Sequence, residues 1–116
     1  MNNFQKVSVE EGARVELHDL LALTGAEISI NTLPAGASVP FVHSHRQNEE
    51  IYAILDGEGT AEIDGETVAF KAGDWIRIAP SAKRRFFASY KVALKYVCIQ
   101  VKANSLENYT MTDAVV

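Results

Sequence analysis

Residues 36–57 read GASVPFVHSHRQNEEIYAILDG and carry two of the three histidines of the chain. His43 and His45 are separated by one residue after the strand-like run Ser38–Val42, so their imidazoles point to the same face, about 7 Å apart. A polar bend then leads into a second strand-like run, in which Glu50 and Tyr52 share one face. If Glu50 points the same way as the histidines, two neutral nitrogens meet one carboxylate. This ligand set suits Fe, Mn, Ni or Zn and leaves coordination positions open.

The sequence around this stretch alternates as β-strands do. Ala26–Leu33 places apolar and polar residues on opposite faces, and Asp64-Gly65 is a hairpin dipeptide between two alternating runs. The runs 75–79 and 94–101 are rich in β-branched and aromatic residues. Turn residues recur about every 8–12 positions, which predicts an all-β sandwich or barrel. Only the stretch from Glu10 to Leu23 could hold a helical turn.

Length and charge restrict the class of protein. The 116 residues show no internal repeat or linker, so we expect one domain over 1–116, with 104–116 as a C-terminal arm. The formal net charge is −4 and no long basic run occurs, which argues against nucleic acid or an anionic membrane as a partner. The single cysteine, Cys98, cannot form an internal disulfide, and the N-terminus lacks a signal-peptide pattern. We therefore expect a cytoplasmic protein.

The spacing of residues 36–57 resembles the first conserved motif of the cupin superfamily. That motif is Gly, five residues, His-x-His, three or four residues, Glu, six residues and Gly, and only the gap before His43 is longer, by one residue. The segment from Gly73 through Pro80 to Phe87 resembles the second motif, so the likeness covers residues 36 to about 89. It implies a double-stranded β-helix, the cupin jelly-roll barrel of two antiparallel sheets. It also implies a homodimer with the N-terminal and C-terminal strands at its interface.

The chain departs from the second motif, which in the family supplies a third histidine ligand. Counting from Gly73 puts Arg84 at that position, whereas counting from Pro80 puts Arg85 there, and we favour Arg84. An arginine cannot bind a metal, because its guanidinium stays protonated and offers only donors. His18, the remaining histidine, lies far upstream of both motifs and is not expected to be a ligand.

Two hypotheses follow from the cluster. In the first, His43, His45 and Glu50 bind a divalent transition metal, and the protein binds or converts a small polar metabolite as a dioxygenase or isomerase. In the second, an arginine pairs with Glu50 and the protein is a metal-free small-molecule binding or sensing cupin. The residues expected to contact a ligand are Tyr52, Arg84, Arg85 and Gln47, of which Gln47 could also be a weak fourth metal ligand.

Overall fold

Eight β-strands and one helical turn form the part of the chain that the computed structural model describes, residues 3–107 and 112–116. Their bounds are β1 (Arg14–Glu16), α1 (His18–Leu21), β2 (Glu27–Leu33), β3 (Asn48–Asp56), β4 (Glu58–Ile63), β5 (Glu66–Lys71), β6 (Trp75–Ile78), β7 (Arg84–Ala88) and β8 (Leu94–Lys102). A five-stranded sheet has the order β1-β2-β8-β3-β6, and a three-stranded sheet has the order β5-β4-β7. All pairings are antiparallel. The two antiparallel sheets predicted from the sequence are confirmed.

The predicted hairpin is the best example of local sequence dictating structure. β4 and β5 pair from Glu58↔Lys71 to Ile63↔Glu66, and the turn between them is Asp64-Gly65. Both turn residues have positive φ, 49° and 84°, as a type I′ turn requires. The helical turn predicted within 10–23 is also present, at His18–Leu21.

The strand expected over Ser38–Val42 is not formed, and this prediction was wrong. The backbone around this segment pairs with β7 at two isolated bridges, Ser38↔Phe87 and His43↔Arg84, and not in a continuous ladder. Pro40 lies between these bridges and has no backbone N–H, so it cannot donate to a ladder at that point. The two histidines therefore follow a short irregular segment that is tied to β7 at each end.

The core lies between the sheets and is largely aromatic. The Phe86 ring packs on Tyr52, Tyr96 and Phe70, with centroid distances of 4.3, 5.4 and 5.4 Å. Leu94 is fully buried beside them. These rings come from strands of both sheets, so their stacking joins the two sheets.

The inner face of β2 is polar, which is unusual for a strand that borders the core. Ser29 and Asn31 are 2% and 6% exposed, whereas Ile28 and Ile30 point to the outer side of the sheet and are half-buried. The alternation predicted for this strand is confirmed, and its buried side is the polar one.

The C-terminal arm can be followed only in part. Residues 104–107 and 112–116 are exposed, and the remainder of the predicted arm, 108–111, lies outside the described residues. Within the described part of the chain, no helix has the length and apolar character needed to cross a membrane.

Candidate functional site

A cavity of about 510 Å³ opens between the inner face of the five-stranded sheet and β7. Aromatic and aliphatic side chains form much of its wall, including Leu33, Phe41, Phe86 and Tyr96. The polar side chains that line it are Arg14, Asn31, Thr32, His43, His45, Glu50, Tyr52, Arg85 and Gln100. A pocket with an apolar wall and a few convergent polar groups is the usual form of a small-molecule site.

Glu50 is the centre of the polar cluster and is 2% exposed. Its Oε1 accepts hydrogen bonds from the Tyr52 hydroxyl at 2.7 Å and from Arg84 Nη1 at 2.5 Å. Its Oε2 accepts one from the Cys98 thiol at 3.2 Å. Burial by itself would raise the pKa of Glu50, but the hydrogen bonds from Tyr52 and Cys98 and the positive charges nearby outweigh it, so the pKa is lowered. Glu50 is therefore an anion at neutral pH.

Arg84 supplies the positive charge for this carboxylate from inside the protein. Its side chain has no exposed surface, and its Nε donates to the Ala82 carbonyl at 2.9 Å. Its Nη2 donates to the Ala79 carbonyl at 2.6 Å, with the Pro80 carbonyl at 3.3 Å. The guanidinium thus holds the loop between β6 and β7 and neutralises Glu50 at the same time. Arg84 lies behind Glu50 and does not line the cavity.

Arg85 points the other way and does line the cavity. Its Nε donates to the Val39 carbonyl at 2.8 Å, and its Nη2 donates to the Ser38 hydroxyl at 3.0 Å. The guanidinium also lies 5.0 Å from the centre of the Phe87 ring. Counting from Gly73 therefore identifies the arginine that meets Glu50, and counting from Pro80 identifies an arginine that borders the cavity and whose guanidinium binds residues 38 and 39.

The two imidazoles face Glu50 from the irregular segment before β3. His43 Nε2 lies 3.9 Å from Glu50 Oε1, and His45 Nε2 lies 3.2 Å from Oε2. Burial lowers the pKa of His43, and the attraction of Glu50 only partly opposes this effect. Within the described residues, His43 Nδ1 and His45 Nε2 are buried without a hydrogen-bond partner, because the close contact of His45 Nε2 with Glu50 lacks hydrogen-bond geometry. Buried polar atoms normally have partners, so these nitrogens are suited to meet a bound species.

The same three residues form a group that could hold a metal ion. One ligand atom from each of His43, His45 and Glu50 lies within 4.8 Å of the others. The spacing and the neutral state of His43 fit a divalent metal, and Oε2 is the carboxylate oxygen nearer to His45. The charge balance fits less well, because Arg84 already neutralises the only carboxylate of the group.

The remaining predicted residues lie in different places. Tyr52 lines the cavity with its ring, while its hydroxyl donates to Glu50. Gln47 is exposed, does not line the cavity and contributes its backbone carbonyl to Ala103. The glutamine that does line the cavity is Gln100, which pairs with Glu50 across β8 and β3. His18 is exposed and contacts Asp19, far from the cluster.

Sequence reasoning missed Cys98, Arg14 and Asn31. Cys98 is buried and its thiol donates to Glu50, and burial raises the pKa of that thiol. Arg14 and Asn31 line the cavity and contact each other although 17 positions separate them. The one local signal for this pair was the polar side of β2, which could have been recognised as an inner face.

Comparison with known proteins agrees with this architecture. A model of the Cupin domain family matches residues 29–100. The crystal structure of a cupin protein from Bacteroides fragilis is 66% identical, covers 100% of this chain and 98% of that chain, and superposes with a TM-score of 0.97. A predicted oxalate decarboxylase from Thermotoga maritima is 29% identical over 65% of this chain and 64% of its own, with a TM-score of 0.61.

A relative among curated sequences is the uncharacterized protein MJ1618 of Methanocaldococcus jannaschii. It is 34% identical over 76 residues, which are 66% of this chain and 60% of that protein. The chain thus spans less than two thirds of both the M. jannaschii and the T. maritima relatives.

Proposed function

The chain belongs to the cupin family, and we propose that it binds a small polar organic molecule in the barrel cavity without a metal ion. The observation that carries the proposal is the buried ion pair between Arg84 and Glu50. In this arrangement Arg84 is the fixed cation of the site, and His43 and His45 are the hydrogen-bonding groups that face the ligand. The protein would then act as a binding or sensing module.

The charge balance of the site supports this proposal. Glu50 contributes −1 and Arg84 contributes +1, so the buried ion pair carries no excess charge. A divalent cation would add +2 only a few ångströms from the guanidinium. Because the interior screens charges weakly, that repulsion would offset much of the energy gained from binding two imidazoles and one carboxylate oxygen. Arg84 cannot move away cheaply, because three backbone carbonyls also hold it.

A second candidate function is a metal-dependent enzyme, and the unpartnered nitrogen of His45 favours it. His43, His45 and Glu50 would hold Fe, Mn, Ni or Zn, with ligand atoms spaced as they are now. When bound, such a metal would act as a Lewis acid toward substrate oxygens, the chemistry that oxygenases and isomerases use. In this candidate Arg84 and Tyr52 fix the orientation of Glu50, and Cys98 holds its second oxygen.

Metal content distinguishes the two candidates. Tag-free wild type is prepared without chelators, challenged with Fe, Mn, Ni and Zn, and analysed for bound metal beside the His43→Ala/His45→Ala variant. Our proposal expects no stoichiometric metal in either protein. It also expects Arg84→His to gain metal, because that change removes the guanidinium and offers a third imidazole. The control, Arg77→His, adds an imidazole on the outer face of the sheet.

One metal ion per wild-type chain, lost in the His43→Ala/His45→Ala variant, would replace our proposal with the metal-dependent enzyme. Equal uptake by the Arg84→His and Arg77→His variants would show adventitious binding to an added histidine. In that case the identity of residue 84 would not control metal binding.

We also propose that the protein is a cytoplasmic homodimer and that neither nucleic acid nor membrane is its partner. The outer face of the five-stranded sheet supports the dimer, because cross-strand rows on it are apolar. One row is Ile30–Val97–Ala53–Trp75, and the next is Ile28–Ile99–Ile51. Trp75 is 70% exposed at the edge of this face. β8 lies in the middle of the sheet, so it would contribute to the dimer interface through its outward side chains.

A further inference from the structure

A chain of hydrogen bonds on the inner face of the barrel ends at the cavity. Asn31 Nδ2 donates to the Ser29 hydroxyl at 3.0 Å, and Arg14 Nη1 donates to Asn31 Oδ1 at 2.8 Å. Ser29 and Asn31 are both buried. Burying a hydroxyl and an amide costs free energy unless they are hydrogen-bonded, so two polar residues on an inner face need hydrogen-bond partners there. Here they hold the Arg14 guanidinium, which lines the cavity.

The charges that line the cavity are predominantly positive, although the whole chain carries −4. Arg14 and Arg85 are the basic residues of the lining, and Glu50, its acidic residue, is neutralised by Arg84 from outside the lining. The Arg14 side chain is 51% exposed and shares its charge with Glu16, which accepts from its Nε at 3.1 Å, is 61% exposed and does not line the cavity. A positive cleft in an acidic protein attracts anions selectively.

The wall beside these charges is apolar. Leu33 from β2, Phe86 from β7 and Tyr96 from β8 line the cavity, and the two aromatic rings stack on each other at 5.4 Å. A ligand that fills this space needs an apolar body in addition to its charged group, since a fully polar molecule would lose its hydration against these rings. The basic residues and the apolar wall together favour a ligand that has both an anionic group and an apolar body.

We propose that the cavity binds a small organic anion whose carboxylate pairs with Arg14 and whose apolar body lies against Leu33, Phe86 and Tyr96. The inference rests on the proposed function, because it names the class of molecule that the cavity binds. Arg14 is then a specificity-determining residue, and Asn31 is a positioning residue that acts through it.

Probe pairs that share an apolar body and carry either an anionic or a neutral head group test the inference. Benzoate is compared with benzamide, and 3-phenylpropionate with 3-phenylpropionamide, by NMR titration of the wild type at low and high salt. We expect the carboxylate to bind about fivefold more tightly than its amide, the size of a charge-assisted contact at a half-exposed site. The preference should weaken at high salt because solvent ions screen an exposed charge.

Variants assign the preference to Arg14. Arg14→Gln should remove the preference, because it weakens carboxylate binding far more than amide binding, and Arg14→Lys should restore part of it. The control Arg77→Gln removes an arginine that is also paired with a glutamate, on the outer face of the same sheet, and should keep the full preference. Asn31→Ala should reduce the preference only partly, because it keeps the charge of Arg14 and removes the hydrogen bond that positions the guanidinium.

The outcomes separate this inference from the proposed function. Equal binding of acid and amide, or a preference that survives Arg14→Gln, would overturn the anion assignment and leave the cavity as a binding site for neutral molecules. Failure of every probe to shift resonances of cavity residues in folded wild type would count against cavity binding itself. Circular dichroism of each variant excludes unfolding as the cause of a lost preference.

Discussion

Replacing Arg84 by methionine should destabilise the protein by about 3–5 kcal/mol, the cost of leaving a buried charge without its partner. The side chain has no exposed surface, and its loss would leave Glu50, 2% exposed, without its cation. It would also remove the donors to the Ala79 and Ala82 carbonyls. Arg84→Met roughly preserves volume, so most of the loss should come from charge and hydrogen bonding rather than from a cavity.

The pH dependence of Arg84→Met is the sharper test. In the wild type the pKa of Glu50 is lowered, so its ionised form stabilises the fold above its usual pKa of 4.5, and this stability is lost as the pH falls through the lowered value. Without Arg84, the pKa of Glu50 in the folded variant should be higher than in the wild type, because one of the groups that oppose the effect of burial is gone. The difference in stability between the two proteins should therefore shrink in the acid pH range, where the carboxylate of the variant takes up a proton before that of the wild type.

A double variant and a control complete the cycle. Arg84→Met/Glu50→Gln should lose at least about 2 kcal/mol less than the sum of the single losses, because neither charge is then left alone. Arg77→Met breaks the exposed pair with Glu49 and should cost less than about 1 kcal/mol. Stability is measured by urea unfolding followed by circular dichroism, since the exposed Trp75 is a weak probe of the core. A loss below about 1 kcal/mol for Arg84→Met, or a pH-independent difference, would refute the reasoning.

Three further predictions concern turns, titration and assembly. Gly57→Ala should destabilise the protein by at least about 3 kcal/mol, because a Cβ there would lie 1.8 Å from the Ala93 carbonyl oxygen. Gly65→Ala should cost about 1 kcal/mol, because Gly65 has a similar positive φ but open space around it. Equal losses in urea unfolding would contradict this prediction. In NMR titrations of metal-free protein, His43 should titrate below pH 6.5, because burial lowers its pKa. His18 should titrate above pH 6.5, because Asp19 raises its pKa. The reverse order would be inconsistent with the site geometry. Burial of neutral His43 should also make acid destabilise the fold as the pH falls through 6.5. Ile51→Lys should convert the proposed dimer to a monomer in sedimentation equilibrium, and an unchanged mass would remove the outer face from the interface.

Much of the architecture was predictable because it is encoded over short distances. The Asp64-Gly65 turn fixes the β4–β5 hairpin through two residues with positive φ. Alternation identified most of the strands, and the spacing of His43, His45 and Glu50 identified the cluster that meets in the cavity. In each case the deciding interaction lies within about ten residues, so the local pattern carries it.

The missed features depend on pairing between distant segments. Arg14 reaches the cavity because β1 pairs with β2, which places Arg14 opposite Asn31. Gln100, rather than Gln47, lines the cavity because β8 lies beside β3 and brings Gln100 opposite Glu50. No short sequence pattern predicts the registers of the β1–β2 and β3–β8 pairs, because each pair joins segments that are far apart in the sequence.

The pairing of His43 with Arg84 shows why counting along the chain left two arginines open. Each of these residues donates its backbone N–H to the carbonyl of the other, at 3.1 and 2.9 Å. Residues directly opposite in an antiparallel pair point to the same side, so this bridge turns Arg84 toward the histidines and Glu50. A shift of one residue would present Arg85 to the carboxylate instead and would reverse the orientation of every β7 side chain, including Phe86 in the core. The packing of Phe86 and the neutralisation of Glu50 therefore require the same register. A lysine at position 84 would keep the charge, but it could not span Glu50 and the loop carbonyls with one rigid fork.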